Sequence, residues 1–133
     1  MRKKLVLVID DDAAVRQALD LLLDIWGYHV VACDSERDAV AKLAAVDEPP
    51  CTILADYRLR EGLTGVQAIA NIRELVGQPV PGIIITGDPT ISELQKAEGL
   101  GLTILQKPVL PSHLKFVLEQ AIAEQRPRKE AAA

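Results

Sequence analysis

Residues 5–12, with the sequence LVLVIDDD, decide the fold. The first five are all apolar, which is typical of a short strand buried on both faces of a sheet. Three consecutive aspartates follow directly. In an open parallel sheet, ligands bind outside the carboxyl ends of the strands, so this stretch predicts a buried strand that delivers acids to such an edge.

The rest of the chain alternates further apolar runs with helical periods. Strands are predicted at 29–33, 51–55, 80–86 and 103–106. Five helices are predicted, at 15–26, from 34 or 35 to about 46, at 66–75, from 90 to about 98, and at 111–122. Asp34 or Ser35 would cap the second helix, Gly77 would end the third, and Thr90 and Glu93 have the spacing of a capping box for the fourth. Pro111 suits the first position of the fifth. Five such units predict an α/β fold whose parallel sheet is covered by helices on both faces.

Length and composition exclude several classes of protein. The chain has 133 residues, 49% hydrophobic and 26% charged, which suits one folded domain and excludes global disorder. A net charge of −4 opposes non-specific nucleic-acid binding, which needs clustered Lys and Arg. The apolar run at 5–9 is too short for a signal peptide or a membrane span, so we expect a cytoplasmic chain with no membrane contact.

Charged and hydroxyl side chains stand at the ends of the predicted strands. They are Asp10, Asp11 and Asp12 after the first, Asp56 after the third, Thr86 at the end of the fourth and Lys107 after the fifth. Clustered carboxylates repel unless a cation joins them, and oxygen ligands favour Mg²⁺ or Mn²⁺. For Asp12 a helix cap is favoured over metal contact. The set suits phosphoryl transfer to a carboxylate, with the aspartate as nucleophile.

Four motifs carry a resemblance to a known family. They are Val8-Ile9-Asp10-Asp11-Asp12, Leu54-Ala55-Asp56-Tyr57-Arg58-Leu59, Ile85-Thr86-Gly87 and Gln106-Lys107-Pro108. Together they resemble the receiver domain of two-component response regulators over nearly the whole chain. The resemblance implies a flavodoxin-like (βα)5 three-layer sandwich with sheet order 2-1-3-4-5. The receiver domain would span 1–124, and 125–133 would be a helix end, a linker or added residues.

The resemblance also implies a role for each matching residue. Asp56 would be phosphorylated from a phosphohistidine. Mg²⁺ would bind Asp11 directly, with help from Asp10, Asp56 and the Arg58 backbone carbonyl. The phosphoryl oxygens would meet Thr86, Gly87 and Lys107, and the Lys107–Pro108 peptide bond would be cis. The predicted strand order also separates Cys33 from Cys51, so both are expected to be free thiols.

Three departures from the common family pattern are visible. Arg60 stands where a proline is usual, Glu61-Gly62 lengthens the following loop by one residue, and Ile104 replaces an aromatic switch residue. Activation is therefore expected to move residues 87–89 and the fourth helix more than Ile104. The strings at 56–65 and 107–111 most resemble receivers at the C-terminus of hybrid sensor histidine kinases.

The resemblance further implies partners. A sensor histidine kinase or phosphotransfer protein would donate the phosphoryl group. We expect no DNA-binding domain to follow, so output would pass from helix 4, strand 5 and helix 5 to a downstream protein or a parent kinase domain, without nucleic acid. The chain would be no independent enzyme beyond its own phosphorylation and dephosphorylation at Asp56.

One alternative of a different class stays open, namely a receiver-like module that binds proteins without being phosphorylated. An aspartate-based phosphatase of the haloacid dehalogenase type is disfavoured because Arg58 stands where that family needs a second acid. By the family match, Arg58 and Asp88 also lie at the mouth of the site. If they pair across the phosphoryl group, they would act as a gate against water and lengthen its lifetime.

Overall fold

The chain alternates five strands with five helices in a computed structural model, which describes residues 3–88 and 90–132, with side chains to residue 124. The strands are β1 (Leu5–Ile9), β2 (His29–Cys33), β3 (Thr52–Asp56), β4 (Gly82–Thr86) and β5 (Leu102–Gln106). The helices are α1 (Ala13–Ile25), α2 (Glu36–Ala44), α3 (Gly65–Val76), α4 (Ser92–Gly99) and α5 (Pro111–Ala132), with a short 3₁₀ turn at Arg60–Gly62. Each predicted strand and helix is therefore present.

The sheet is parallel throughout and its order is β2-β1-β3-β4-β5. This confirms the predicted flavodoxin-like α/β architecture and its strand order. The chain leaves β1 toward one edge of the sheet and returns past it to β3, so the switch point lies between β1 and β3. Both strands end there on the same rim, where an open α/β sheet binds its ligands.

Helices cover both faces of the sheet. On one face, Leu5, Leu7 and Ile9 of β1 pack in a cluster with residues of α2, α3 and α4. On the other, Val6 and Val8 pack in a cluster with residues of α1 and α5. Because successive strand residues point to opposite faces, a run that is apolar at every position suits a strand covered on both sides.

Several helix ends follow from local residues. Asp12 caps α1 by accepting hydrogen bonds from the amides of Ala14 and Val15, as predicted. Ser35, one of two predicted candidates, caps α2. Gly77 ends α3 with φ 69°, a left-handed conformation that favours glycine. Pro111 is the first residue of α5, as expected.

The predicted Thr90–Glu93 capping box is wrong. α4 begins at Ser92, and its cap residue Ile91 makes no side-chain hydrogen bond. The Thr90 amide and hydroxyl both donate to Asp88, at 3.0 and 2.5 Å. Glu93 instead accepts a hydrogen bond from Tyr57. Thr90 and Glu93, the two residues of the expected capping box, thus each hydrogen-bond to a different partner.

The two cysteines are free, as predicted. Cys33 ends β2 and Cys51 precedes β3, and β1 runs between these strands. α5 continues through residue 124 to Ala132. Within the described ranges, no helix is both long and apolar enough to cross a membrane.

Candidate functional site

An acidic cluster lies at the carboxyl ends of the two central strands. Asp10 directly follows β1 and Asp56 is the last residue of the neighbouring parallel strand β3. Carboxylate oxygens of Asp10, Asp11 and Asp56 all lie within 4.8 Å of one another. The Asp56 side chain is 11% exposed and Asp10 is buried, so water screens their repulsion poorly.

Asp10 is the most buried acid of the cluster. Its Oδ1 accepts a hydrogen bond from the Asp12 amide at 2.9 Å, and its backbone carbonyl accepts one from Arg16 Nη1 at 2.8 Å. Burial raises the pKa of Asp10; the Asp12 amide opposes this rise and the negative charge of Asp56 adds to it. An arrangement of three close carboxylate oxygens fits a hard divalent cation such as Mg²⁺ or Mn²⁺.

Lys107 reaches the same cluster from the end of β5. Its Nζ lies 2.7 Å from Asp56 Oδ1, and its side chain is 45% exposed. The hydrogen bond to Asp56 raises the pKa of Lys107, and burial opposes this rise. The Lys107 amide donates to the Thr86 carbonyl at 2.8 Å, and the Lys107–Pro108 peptide bond is cis, as predicted.

Thr86 ends β4, between the strands that carry Asp56 and Lys107. It is buried, and its hydroxyl is engaged inside its own loop, accepting from the Asp88 amide at 3.1 Å and donating to the Asp88 carbonyl at 3.3 Å. Gly87 is exposed between them. The hydroxyl has one proton to donate, so donation to a ligand at Asp56 would require Thr86 to give up its hydrogen bond to the Asp88 carbonyl. Pro89, the last residue of the segment expected to move, lies outside the described residues.

Arg58 and Asp88 do not form an ion pair with each other in the described part of the chain. The Arg58 guanidinium lies 5.8 Å from the centre of the Tyr57 ring, and Arg58 is exposed. The hydrogen bonds from Thr90 lower the pKa of Asp88, with a lesser contribution from the positive charge of Arg58. The backbone of Arg58 pairs with Thr64 beside the acidic cluster.

The lengthened loop forms the 3₁₀ turn at Arg60–Gly62. Glu61 in this turn has a backbone φ of 63°, which residues other than glycine rarely adopt. Arg60 places Nη2 3.5 Å from the Asp11 carbonyl oxygen. This residue thus adds a positive side chain beside the acidic cluster.

Gly65 supports the site and was missed by sequence reasoning. A Cβ on Gly65 would collide with the backbone carbonyl oxygen of Asp56 and would lie 3.1 Å from Ile84 Cδ1. The Gly65 amide also donates to the Tyr57 carbonyl at 2.7 Å. The one available signal was a glycine at the first position of a helix, where a side chain would ordinarily be preferred.

A second missed feature joins the strand end to α4. The Tyr57 hydroxyl donates to Glu93 Oε1 at 2.6 Å. This hydrogen bond raises the pKa of Tyr57 more than burial does. No sequence signal could have revealed it, because the two residues are 36 positions apart.

Comparison with known families and curated proteins shows which proteins this chain is similar to. The family described as response regulator receiver domain matches residues 6–119. The chain is 33% identical over 132 residues to the transcriptional regulatory protein FixJ of Bradyrhizobium diazoefficiens, covering 96% of this chain and 61% of that protein. It is 28% identical over 128 residues to the phyllosphere-induced regulator PhyR of Methylorubrum extorquens, covering 95% and 47%. The chain thus spans about half the length of these relatives.

Solved structures share the fold at lower identity. A receiver domain protein from Methanospirillum hungatei superposes with a TM-score of 0.83 at 23% identity, covering 96% of this chain and 99% of that one. A receiver domain protein from Clostridium thermocellum gives a TM-score of 0.81 at 23% identity, covering 92% and 97%. Both structural similarities support the fold assignment.

Proposed function

The chain belongs to the response regulator receiver domain family, and from this premise we propose that Asp56 accepts a phosphoryl group from a phosphohistidine. The observation that carries the proposal is the Lys107 ammonium 2.7 Å from Asp56, in the same strand-end site as Asp10 and Asp11. Acids alone would repel a phosphoryl group. With the lysine, the site offers both a carboxylate nucleophile and positive charge for the incoming oxygens.

The transfer is one substitution at phosphorus. A carboxylate oxygen of Asp56 bonds to phosphorus while the phosphorus–nitrogen bond of the donor breaks, and its electron pair stays on the histidine ring. Lys107 then moves its ammonium from Asp56 to a phosphoryl oxygen, and Thr86 and Gly87 take up the others. Asp10, Asp11, Asp56 and the Arg58 carbonyl would hold Mg²⁺, which supplies charge neutralisation of those oxygens.

We further propose which proteins exchange signals with this domain and where it acts. The donor would be a sensor histidine kinase or phosphotransfer protein, and the output surface would be α4, β5 and α5. The strings at 56–65 and 107–111 support placement at the C-terminus of a hybrid sensor kinase, with a parent kinase domain as output partner. Two free cysteines suit a reducing compartment, which supports the cytoplasm.

Phosphorylation by a small donor tests the proposal directly. The protein incubated with phosphoramidate and Mg²⁺ should gain the mass of one phosphoryl group, located at Asp56 by borohydride reduction and peptide mapping. Asp56→Asn, which keeps the size of the side chain, should gain none. A wild-type chain that gains no mass, yet still binds a kinase or phosphotransfer protein, would instead support the alternative of a protein-binding module.

We also propose that Arg58 and Asp88 slow hydrolysis of the phosphorylated protein. In hydrolysis, a water oxygen bonds to phosphorus as the bond to Asp56 breaks, so a side chain over the site can obstruct the water. Arg58→Ala and Asp88→Ala should each shorten the half-life in excess Mg²⁺, by up to about fivefold, because the proposed gate is an exposed pair formed across the phosphoryl group and such pairs are worth about 0–1 kcal/mol. The exposed Asp24→Ala on α1 is the control. An unchanged or longer half-life in either variant would reject the gate.

A further inference from the structure

The hydrogen bond between Tyr57 and Glu93 connects the strand end to the first turn of α4. The Tyr57 hydroxyl and Glu93 Oε1 are 2.6 Å apart. A neutral phenol that donates to a carboxylate makes a charge-assisted hydrogen bond, which is stronger than one between neutral groups. Tyr57 directly follows Asp56, so the contact begins one residue from the proposed phosphoacceptor.

At its strand end, this contact is held rigidly. The Tyr57 amide donates to the Ile85 carbonyl at 2.8 Å, and its carbonyl accepts from Gly65 at 2.7 Å. Tyr57 is 8% exposed and packs in the cluster that also contains Leu94 and Ala97 of α4. The hydroxyl therefore follows any shift of the backbone that carries Asp56.

Besides the Tyr57–Glu93 hydrogen bond, few contacts among the described residues hold the first turn of α4 in place. α4 has eight residues, and its cap residue Ile91 makes no side-chain hydrogen bond. It buries Leu94 and Ala97 alone among its described residues. At its other end, Arg73 of α3 donates to the Leu100 carbonyl. Within the described ranges, Tyr57–Glu93 is thus the side-chain hydrogen bond that fixes the first turn.

Ile104 cannot make this connection. Its side chain has no hydroxyl, and it packs against the same cluster through apolar contact only. Between the site and α4, Asp88 is hydrogen-bonded to Thr86 and to Thr90, and none of these bonds reaches α4. Tyr57 is the aromatic side chain with a hydroxyl that bridges the site and α4.

We propose that Tyr57 is a positioning residue whose hydrogen bond to Glu93 holds α4 in its resting arrangement, and that phosphorylation of Asp56 breaks this bond. This inference rests on the proposed phosphorylation. A ligand that favours the displaced arrangement must overcome whatever stabilises the resting one. Removing the bond should therefore strengthen binding of a phosphoryl mimic, whereas loss of a purely structural contact would leave binding unchanged or weaken it.

Tyr57→Phe removes the hydroxyl and leaves the packed ring. Titration with beryllium fluoride and Mg²⁺, followed by amide NMR, should show about fivefold tighter binding than wild type, the scale expected for one hydrogen bond. Without the mimic, amide hydrogen exchange over 92–99 should accelerate by a similar factor while the strands stay protected. Tyr28→Phe, the same change at a half-buried tyrosine packed on the other face of the sheet, should alter neither quantity.

A double-mutant cycle tests the partner. Glu93→Gln should strengthen mimic binding less than Tyr57→Phe does, because the amide oxygen can still accept. In the Tyr57→Phe background, Glu93→Gln should have no further effect. The inference is wrong if Tyr57→Phe binds the mimic no more tightly than Tyr28→Phe, or if its exchange accelerates equally across the chain, and the proposed function survives both outcomes. A wild-type chain that neither binds the mimic nor gains a phosphoryl group would overturn both.

Discussion

Replacing Asp11 by alanine is expected to abolish Mg²⁺ binding and phosphorylation. Asp11 contributes one of three carboxylates whose oxygens lie within 4.8 Å of one another. In the wild type, Mg²⁺ at 100 times its Kd should raise the free energy of unfolding by about 2.7 kcal/mol, because the ion binds the folded state. In Asp11→Ala that increase should vanish. Calorimetric titration and thermal unfolding with and without Mg²⁺ measure both effects.

The same variant should lose no stability without metal. One of the mutually repelling charges is gone, so its free energy of unfolding should equal or exceed that of the metal-free wild type. Asp12→Asn is the matched control, since it also removes one negative charge from the neighbouring position. Asparagine can still cap α1, where Asp12 accepts from Ala14 and Val15. Mg²⁺ affinity that falls equally in both variants, or survives in Asp11→Ala, contradicts the assignment.

Replacing Gly65 by alanine is expected to destabilise the fold and disturb the site together. The new Cβ would collide with the Asp56 carbonyl oxygen and crowd Ala55 Cβ at 3.2 Å. The obstacle is backbone at the end of a central strand, which cannot rotate away as a side chain can. We expect a loss of about 1–3 kcal/mol in the free energy of unfolding, as for overpacked cores. Phosphorylation should slow as well, because relief of the collision moves Asp56.

Gly99→Ala provides the control for this effect. Gly99 ends α4, and a Cβ there would meet nothing within 4 Å. Alanine is a better helix former than glycine, so this variant should be as stable as the wild type or gain up to about 1 kcal/mol. Denaturant unfolding of both variants gives the comparison. Equal stability of Gly65→Ala and the wild type would show that the strand end yields easily.

Sequence alone determined the features that depend on neighbours along the chain. The apolar run at 5–9 predicted a strand buried on both faces, and Asp12 was predicted to cap the helix that follows. Gly77 and Pro111 marked a helix end and a helix start. Because parallel strands present their carboxyl ends to one rim, Asp10, Asp56 and Lys107 could be expected together before any coordinates. The strand order itself came from the family resemblance.

Tertiary structure decided which partner each polar group takes. Thr90 and Glu93 have the spacing of a capping box. In the structure, however, the Thr90 hydroxyl donates to Asp88, and Glu93 accepts a hydrogen bond from Tyr57. A local pattern lists the hydrogen bonds that are possible, but a group binds whichever partner packing brings closest in the best geometry. Gly65 shows the same limit, since its need for glycine arises from the Asp56 carbonyl on another element. Contacts between residues distant along the chain carry no local periodicity or spacing, and only the packed fold reveals them.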